Sequence, residues 1–232
     1  NTNSGAGGIR PSNRKALTIL MIRKVFFDFD GVVVDSEPLH ARSKALTLQY
    51  FGIEYSPDLF DRFKGITELG FFKHVSEELD PSHRSCDEFI SKRHEFLAKM
   101  LPEMPFIEGY EEFMDSLHAA GIGAILVTSS TRMELTNIDK YLHFTESYEH
   151  IIAADDTKRH KPFPDPYLKA LEVVNSEDVV VIEDSPNGIL AAKRADCIVY
   201  ALKTSFTEEE LEAAGADRIF ENYGALRKAF SF

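Results

Sequence analysis

The stretch Val25-Phe26-Phe27-Asp28-Phe29-Asp30-Gly31-Val32 decides how this chain is read. Its large apolar residues form a short run that suits a strand covered on both faces. Two acids and a glycine follow where that strand would emerge, and Gly31 lets the backbone turn close to a ligand. Alternate residues of a strand point the same way, so Asp28 and Asp30 can face one site. Two carboxylates in a small space repel unless a cation or a proton intervenes. The pair therefore points to chemistry, with a divalent metal as the expected companion.

Outward from this strand, residues 37–51, 67–79 and 86–100 carry helical periodicity, with Asp80-Pro81-Ser82 as a break, and no strand is expected among them. From Ile107 the pattern alternates. Helices are expected at 110–119, 132–142, 164–174, 187–195 and 208–214, with a last one from Gly224. Strands are expected at 123–127, 151–153, 179–182, 198–201 and 219–220. Such alternation implies an α/β fold, a doubly wound parallel sheet with a Rossmann-like core. The helical block has no place in that rhythm and reads as an inserted helical cap at 36–105. The core is then 21–35 and 106–232, with linkers at 33–37 and 102–108. Residues 1–20 read as a tail or added extension, with Met21 as the native start.

The chain has 232 residues, a composition of 44% hydrophobic and 28% charged residues, and a net charge of −12. This is an ordinary globular composition. The acidic balance argues against a duplex nucleic-acid binder and against adsorption to anionic membranes. No apolar run approaches the roughly 20 residues that span a bilayer. Cys86 and Cys197 lack metal or disulfide spacing and suit a reducing, cytoplasmic compartment. A monomer is the expected state.

Ligands of doubly wound sheets bind at the carboxyl ends of the strands. Beyond the strand at 123–127 comes Thr128-Ser129-Ser130, and beyond 179–182 comes Glu183-Asp184-Ser185. Lys161 follows the strand at 151–153, just ahead of a helix. Taken singly, each has a structural reading. Thr128 to Ser130, or Asp184 and Ser185, can cap a helix. Lys161 can be a solvated lysine, and Asp30-Gly31 a turn. Their joint appearance beyond apolar strands argues against a purely structural account.

Asp28-Phe29-Asp30-Gly31-Val32, Val127-Thr128-Ser129, Lys161-Pro162 and Ile182-Glu183-Asp184-Ser185 match, in order, four motifs of the haloacid-dehalogenase-like hydrolase superfamily. Asp35-Ser36-Glu37-Pro38-Leu39-His40 and residues 161–167 resemble most its sugar-phosphate phosphatase and beta-phosphoglucomutase branch. The resemblance spans about residues 22–230. It implies a phosphatase of small phosphorylated metabolites, with Asp28 as nucleophile and Asp30 as general acid and then base. It also implies Mg2+ held by Asp28, the Asp30 carbonyl and Asp184, with Glu183 nearby. Thr128 and Lys161 would act on the transferring phosphoryl group, and Ser129 and the amides around Phe29 and Gly31 would complete the cradle. The insertion then resembles a cap that selects substrate, with His40, Lys64 and Arg132 as candidates to touch it.

Two departures stand out. Mutase relatives have an arginine shortly after the cap glycine, where this chain has Glu68, which favours hydrolysis over phosphomutase activity. Ala195-Asp196-Cys197 replaces a usual Ala-Gly, so a changed turn is expected there. A dehalogenase would not need Asp30. A response-regulator receiver gathers similar residues but is much shorter and has no insertion after its first strand. A catalytically dead relative used for binding does not suit a chain that retains the whole motif set.

Overall fold

The computed structural model describes residues 22–63, 66–176 and 178–232. The readings of residues 1–20, Met21, Lys64 and Gly65 lie outside them. Six strands form one sheet: β1 Lys24–Phe27, β2 Gly123–Val127, β3 His150–Ile152, β4 Val179–Glu183, β5 Ile198–Leu202 and β6 Arg218–Phe220. Their order is β3-β2-β1-β4-β5-β6 and every pairing is parallel. Phe26 lies opposite Ile125 on one side and Val181 on the other, so β1 is central.

The helices are α1 Glu37–Tyr50, α2 Leu59–Arg62, α3 Glu68–His74, α4 Cys86–Met100, α5 Tyr110–Ala119, α6 Arg132–Leu142, α7 Asp165–Val174, α8 Pro186–Arg194, α9 Glu208–Ala214 and α10 Tyr223–Phe230. The alternation of β1 explains their distribution. Val25 and Phe27 face Phe113, Leu117, Tyr223 and Leu226, while Phe26 faces Tyr167, Ala170, Ile189 and Ala191. All these side chains are buried. Burying each large one contributes about 1.5–3 kcal/mol relative to exposure, which is why a strand of four residues can anchor the sheet.

Elements α1 to α4 lie between β1 and β2 in the chain and contain no strand among the described residues. They enclose a separate cluster of Leu48, Ile53, Leu59, Phe71, Phe72, Val75 and Phe89. The helix expected at 67–79 is α3 followed by a wider π-helical turn at Val75–Leu79, and the short α2 was not expected. The chain leaves and re-enters the sheet layer through paired strands of linker. Asp35 N donates to Pro105 O at 3.0 Å and Ile107 N to Val33 O at 2.9 Å.

The turn expected to change lies at Asp196, between α8 and β5. Asp196 adopts φ 60°, a left-handed conformation that aspartate tolerates better than most residues.

Candidate active site

Strand order reverses about β1, because β2 pairs on one side and β4 on the other. The carboxyl ends of β1 and β4 therefore border the crevice where such sheets bind ligands. A cavity of about 570 Å³ opens there, lined by residues that include Asp28, Asp30, His40, Ser129, Lys161 and Asp184.

Asp28 extends β1 by one residue, its N–H donating to Ile182 O at 3.0 Å. Its side chain is buried, and Lys161 Nζ donates to Oδ1 at 2.5 Å. The same ammonium donates to Glu183 Oε1 at 2.7 Å and to Val127 O at 2.9 Å, which uses all three of its protons. Glu183 is wholly buried, and its other oxygen accepts from the Asp184 and Ser185 amides and from Ser185 Oγ. Tyr167 Oη adds a bond to Oε1 at 2.9 Å. Glu183 thus reads as the anchor that holds Lys161 and the start of α8 in place.

Asp28, Glu183 and Asp184 each present a carboxylate oxygen, all within 4.8 Å of one another. Three carboxylates against one ammonium leave two uncompensated negative charges if all ionise. Burial pushes the Asp28 carboxyl up to about 7; Lys161 opposes the shift, and Glu183 and Asp30 add to it. Burial, then Asp28 and Glu183, also raise Asp184 well above the carboxylate range. Burial works against the charge on Lys161, but Asp28 and Glu183 outweigh it and hold the ammonium protonated.

Asp30 sits in different surroundings, half-buried at the cavity wall. Its Oδ1 accepts from Ser36 Oγ at 2.5 Å and lies 3.8 Å from His40 Nε2, while Oδ2 accepts from Ser130 Oγ at 3.3 Å. Burial acts to raise its pKa, but His40 beside it and the bonds from Ser36 and Ser130 prevail and keep it below 3.8. Two acids two residues apart therefore differ in acidity for local reasons.

Gly31 has φ 74°, and a methyl carbon placed on it would lie 1.9 Å from Asp184 Oδ2. Only glycine lets this turn lie against that carboxylate. The Gly31 N–H already donates to Val34 O at 2.8 Å, so it is not directed to the cavity. The Phe29 ring points away from the cavity and packs on Phe144.

The capping readings resolve unevenly. The cap of α6 is Thr131, not Thr128 to Ser130. Thr128 Oγ1 instead accepts from Ser130 N at 2.9 Å, leaving its proton free to donate. Ser185 does cap α8. Arg132 is not brought to the cavity, because its guanidinium is exposed and bonded to Asp156 and the Ile151 carbonyl.

His40 reaches the cavity from α1. Arg93, buried on α4, donates to His40 Nδ1 at 2.6 Å and to Ser43 Oγ at 3.2 Å, and pairs with Glu68. An arginine only donates, so His40 Nδ1 accepts and its Nε2 carries a proton on the side of Asp30. Ser36, Ser130, Tyr167 and Arg93 were not singled out from sequence. The first three stand within or beside the quoted motifs, whereas nothing local marks Arg93.

The fold and site define a doubly wound α/β protein with an acidic, lysine-bearing crevice and a helical insertion after its first strand. The family model of haloacid dehalogenase-like hydrolases matches residues 25–202, and the chain belongs to that family. A phosphorylated carbohydrates phosphatase of Thermotoga maritima is 32% identical over 177 residues, covering 74% of this chain and 80% of the relative. A validoxylamine A 7'-phosphate phosphatase of Streptomyces hygroscopicus subsp. limoneus is 30% identical, covering 89% and 97%. A solved Thermotoga maritima structure named for beta-phosphoglucomutase superposes with a TM-score of 0.78 at 29% identity, covering 89% of this chain and 97% of that one. The chain is a hydrolase of the phosphatase branch. Among its described residues, no helix is long and apolar enough to cross a membrane.

Proposed function

We propose that the protein removes phosphate from small phosphorylated carbohydrates through a phospho-Asp28 intermediate, with Mg2+ as cofactor. The observation that carries this reading is the unequal pair at the mouth of β1. Asp28 is ion-paired with Lys161 beside two further acids, and Asp30 is held apart by Ser36, Ser130 and His40.

In the first step a carboxylate oxygen of Asp28 attacks phosphorus, and the bond from phosphorus to the sugar oxygen breaks. Asp30, a carboxylate before substrate binds, takes up a proton once the phosphate's negative charge lies beside it, and passes it to that oxygen as it leaves. In the second step Asp30 takes a proton from water, whose oxygen attacks phosphorus, releasing phosphate and restoring Asp28. Lys161 offsets negative charge on Asp28 and on the transferring group. Thr128 donates to that group with its free proton, and Ser129 and the backbone at Phe29 add contacts.

An all-oxygen donor set suits a hard divalent ion, and two uncompensated charges match its valence. Asp28, Asp184 and the Asp30 carbonyl would hold the ion, with Glu183 behind them. Bound there, it would keep Asp28 ionised and screen the carboxylates from the phosphate.

The helical insertion, residues 36–105, serves as the substrate-selecting cap, with His40 toward the substrate. A mutase needs a second anion held in the cap. At that place stands Glu68, already neutralised by Arg93, so hydrolysis is favoured. A panel of carbohydrate phosphates assayed for free phosphate tests this. Mg2+-dependent phosphate release supports the reading, and rearranged sugar phosphates without free phosphate would overturn it.

A further inference from the structure

The loop after β5 adds a fifth strand end to the cavity through Thr204 and Ser205. Thr204 Oγ1 donates to Gly31 O at 2.6 Å and lies 3.5 Å from Asp184 Oδ2. A hydroxyl has one proton, so the shorter contact holds it, and Thr204 ties the turn after β1 to the end of β5. Ser205 Oγ lies beside the Asp184 carboxylate at the same turn. A methyl carbon on Gly31 would lie 2.7 Å from Ser205 Oγ as well as 1.9 Å from Asp184 Oδ2. Three segments distant in sequence thus converge at one point, with Asp184 between the glycine and the two hydroxyls.

We propose that Thr204 and Ser205 are positioning residues that fix the Asp184 carboxylate against Gly31 and thereby set the affinity for Mg2+. Neither touches the reacting atoms. The inference rests on the proposed role of Asp184 in holding Mg2+. Thr204 keeps the Gly31 turn seated, so that the adjoining Asp30 carbonyl and Asp184 keep their spacing. Ser205 restricts rotation of the carboxylate. Side chains that orient metal ligands in this way typically contribute about 10- to 100-fold in affinity.

The test is calorimetric titration of MgCl2 into the metal-free protein, for the native chain and for Thr204→Val, Thr204→Ser and Ser205→Ala. The melting temperature of each metal-free variant is measured alongside. Thr204→Val and Ser205→Ala are expected to weaken binding about 10-fold or more. Thr204→Ser, which keeps the hydroxyl, is expected to stay within about twofold. The metal-free melting temperatures should barely change, since a single exposed-side hydroxyl is being removed. Unchanged affinity in Thr204→Val and Ser205→Ala, beside a native chain that binds, would overturn the inference and leave the proposed function standing. A loss of melting temperature without a loss of affinity would also overturn it, leaving only a structural role. No Mg2+ binding by the native chain would overturn the proposed function itself.

Discussion

The core side and the insertion side of the crevice are built by different means. On the core side, strand ends deliver Asp28, Thr128 and Glu183 from a sheet in which β2 and β4 are buried throughout and β1 is buried beyond Lys24. Lys161 then bonds three separate elements at once, at Asp28, Val127 and Glu183. On the insertion side Ser36 donates to Asp30 at 2.5 Å, and a chain of contacts, Glu68–Arg93–His40, arrives at Asp30 across a gap of 3.8 Å. The insertion has its own apolar cluster and joins the core through the paired linkers and through Leu39 and Met100, which pack into the core cluster. The difference teaches that the charge-bearing half is set by the sheet, while the insertion half reaches the site through side chains carried on its own helices.

Substitutions on the two sides should therefore fail differently. The largest effect is expected for Asp28→Asn, with phosphate release falling by more than about 10⁴-fold, since removing a nucleophile costs far more than removing a contact. Residual turnover near the native rate would break the core half of the comparison. Asp30→Asn should slow turnover by about 10²- to 10⁴-fold while leaving Mg2+ affinity nearly unchanged, because the proposed ligand there is its carbonyl. Calorimetry separates the two effects. Arg93→Met removes the link from the insertion, and kcat/KM should fall roughly 10- to 100-fold through misplacement of His40. Its Mg2+ affinity should match the native chain. A parallel fall in Mg2+ affinity would show that the two halves are not independent.

The smallest effect is a pH dependence. In the metal-free protein Asp28 titrates at about 7, above its ordinary 3.8. The folded protein thus holds a proton that the unfolded chain gives up, so this group's contribution to stability falls as pH rises from about 4 to about 7. Mg2+ must displace the same proton, so its affinity falls as pH drops through about 7. At a Mg2+ concentration about 100 times the Kd found at pH 8, stabilisation of about 2.7 kcal/mol should raise the melting temperature by several degrees. The rise should be smaller at pH 6. An equal rise at both values would remove Asp28 from the binding set.

The same contrast explains what was legible in the sequence. Short apolar runs ending in polar residues marked β1, β2 and β4, and with them Asp28, Thr128, Glu183 and Asp184. The rule holds because a parallel sheet places all its carboxyl ends on one rim. It extends to Thr204 and Ser205, which were passed over because Leu202 and Lys203 separate them from the expected end of their strand. Arg93 was not legible. An arginine on an amphipathic helix looks the same in sequence whether it meets solvent or, as here, His40 and Glu68. Arg132 shows the converse, since it was a cationic candidate for the substrate and the fold turns it to Asp156. Four-residue α2 lies below the length at which periodicity carries information.

The central claim is that the acids at the mouth of β1 have separate jobs. It is tested most directly by mixing Asp30→Asn with p-nitrophenyl phosphate and Mg2+, a substrate whose leaving group needs no acid. The account predicts a burst of about one equivalent of nitrophenol per protein, followed by slow turnover. Mass spectrometry of the quenched protein should then find one phosphate on the peptide that contains Asp28. Phosphate on another residue, or a burst that leaves the protein unmodified, would contradict it.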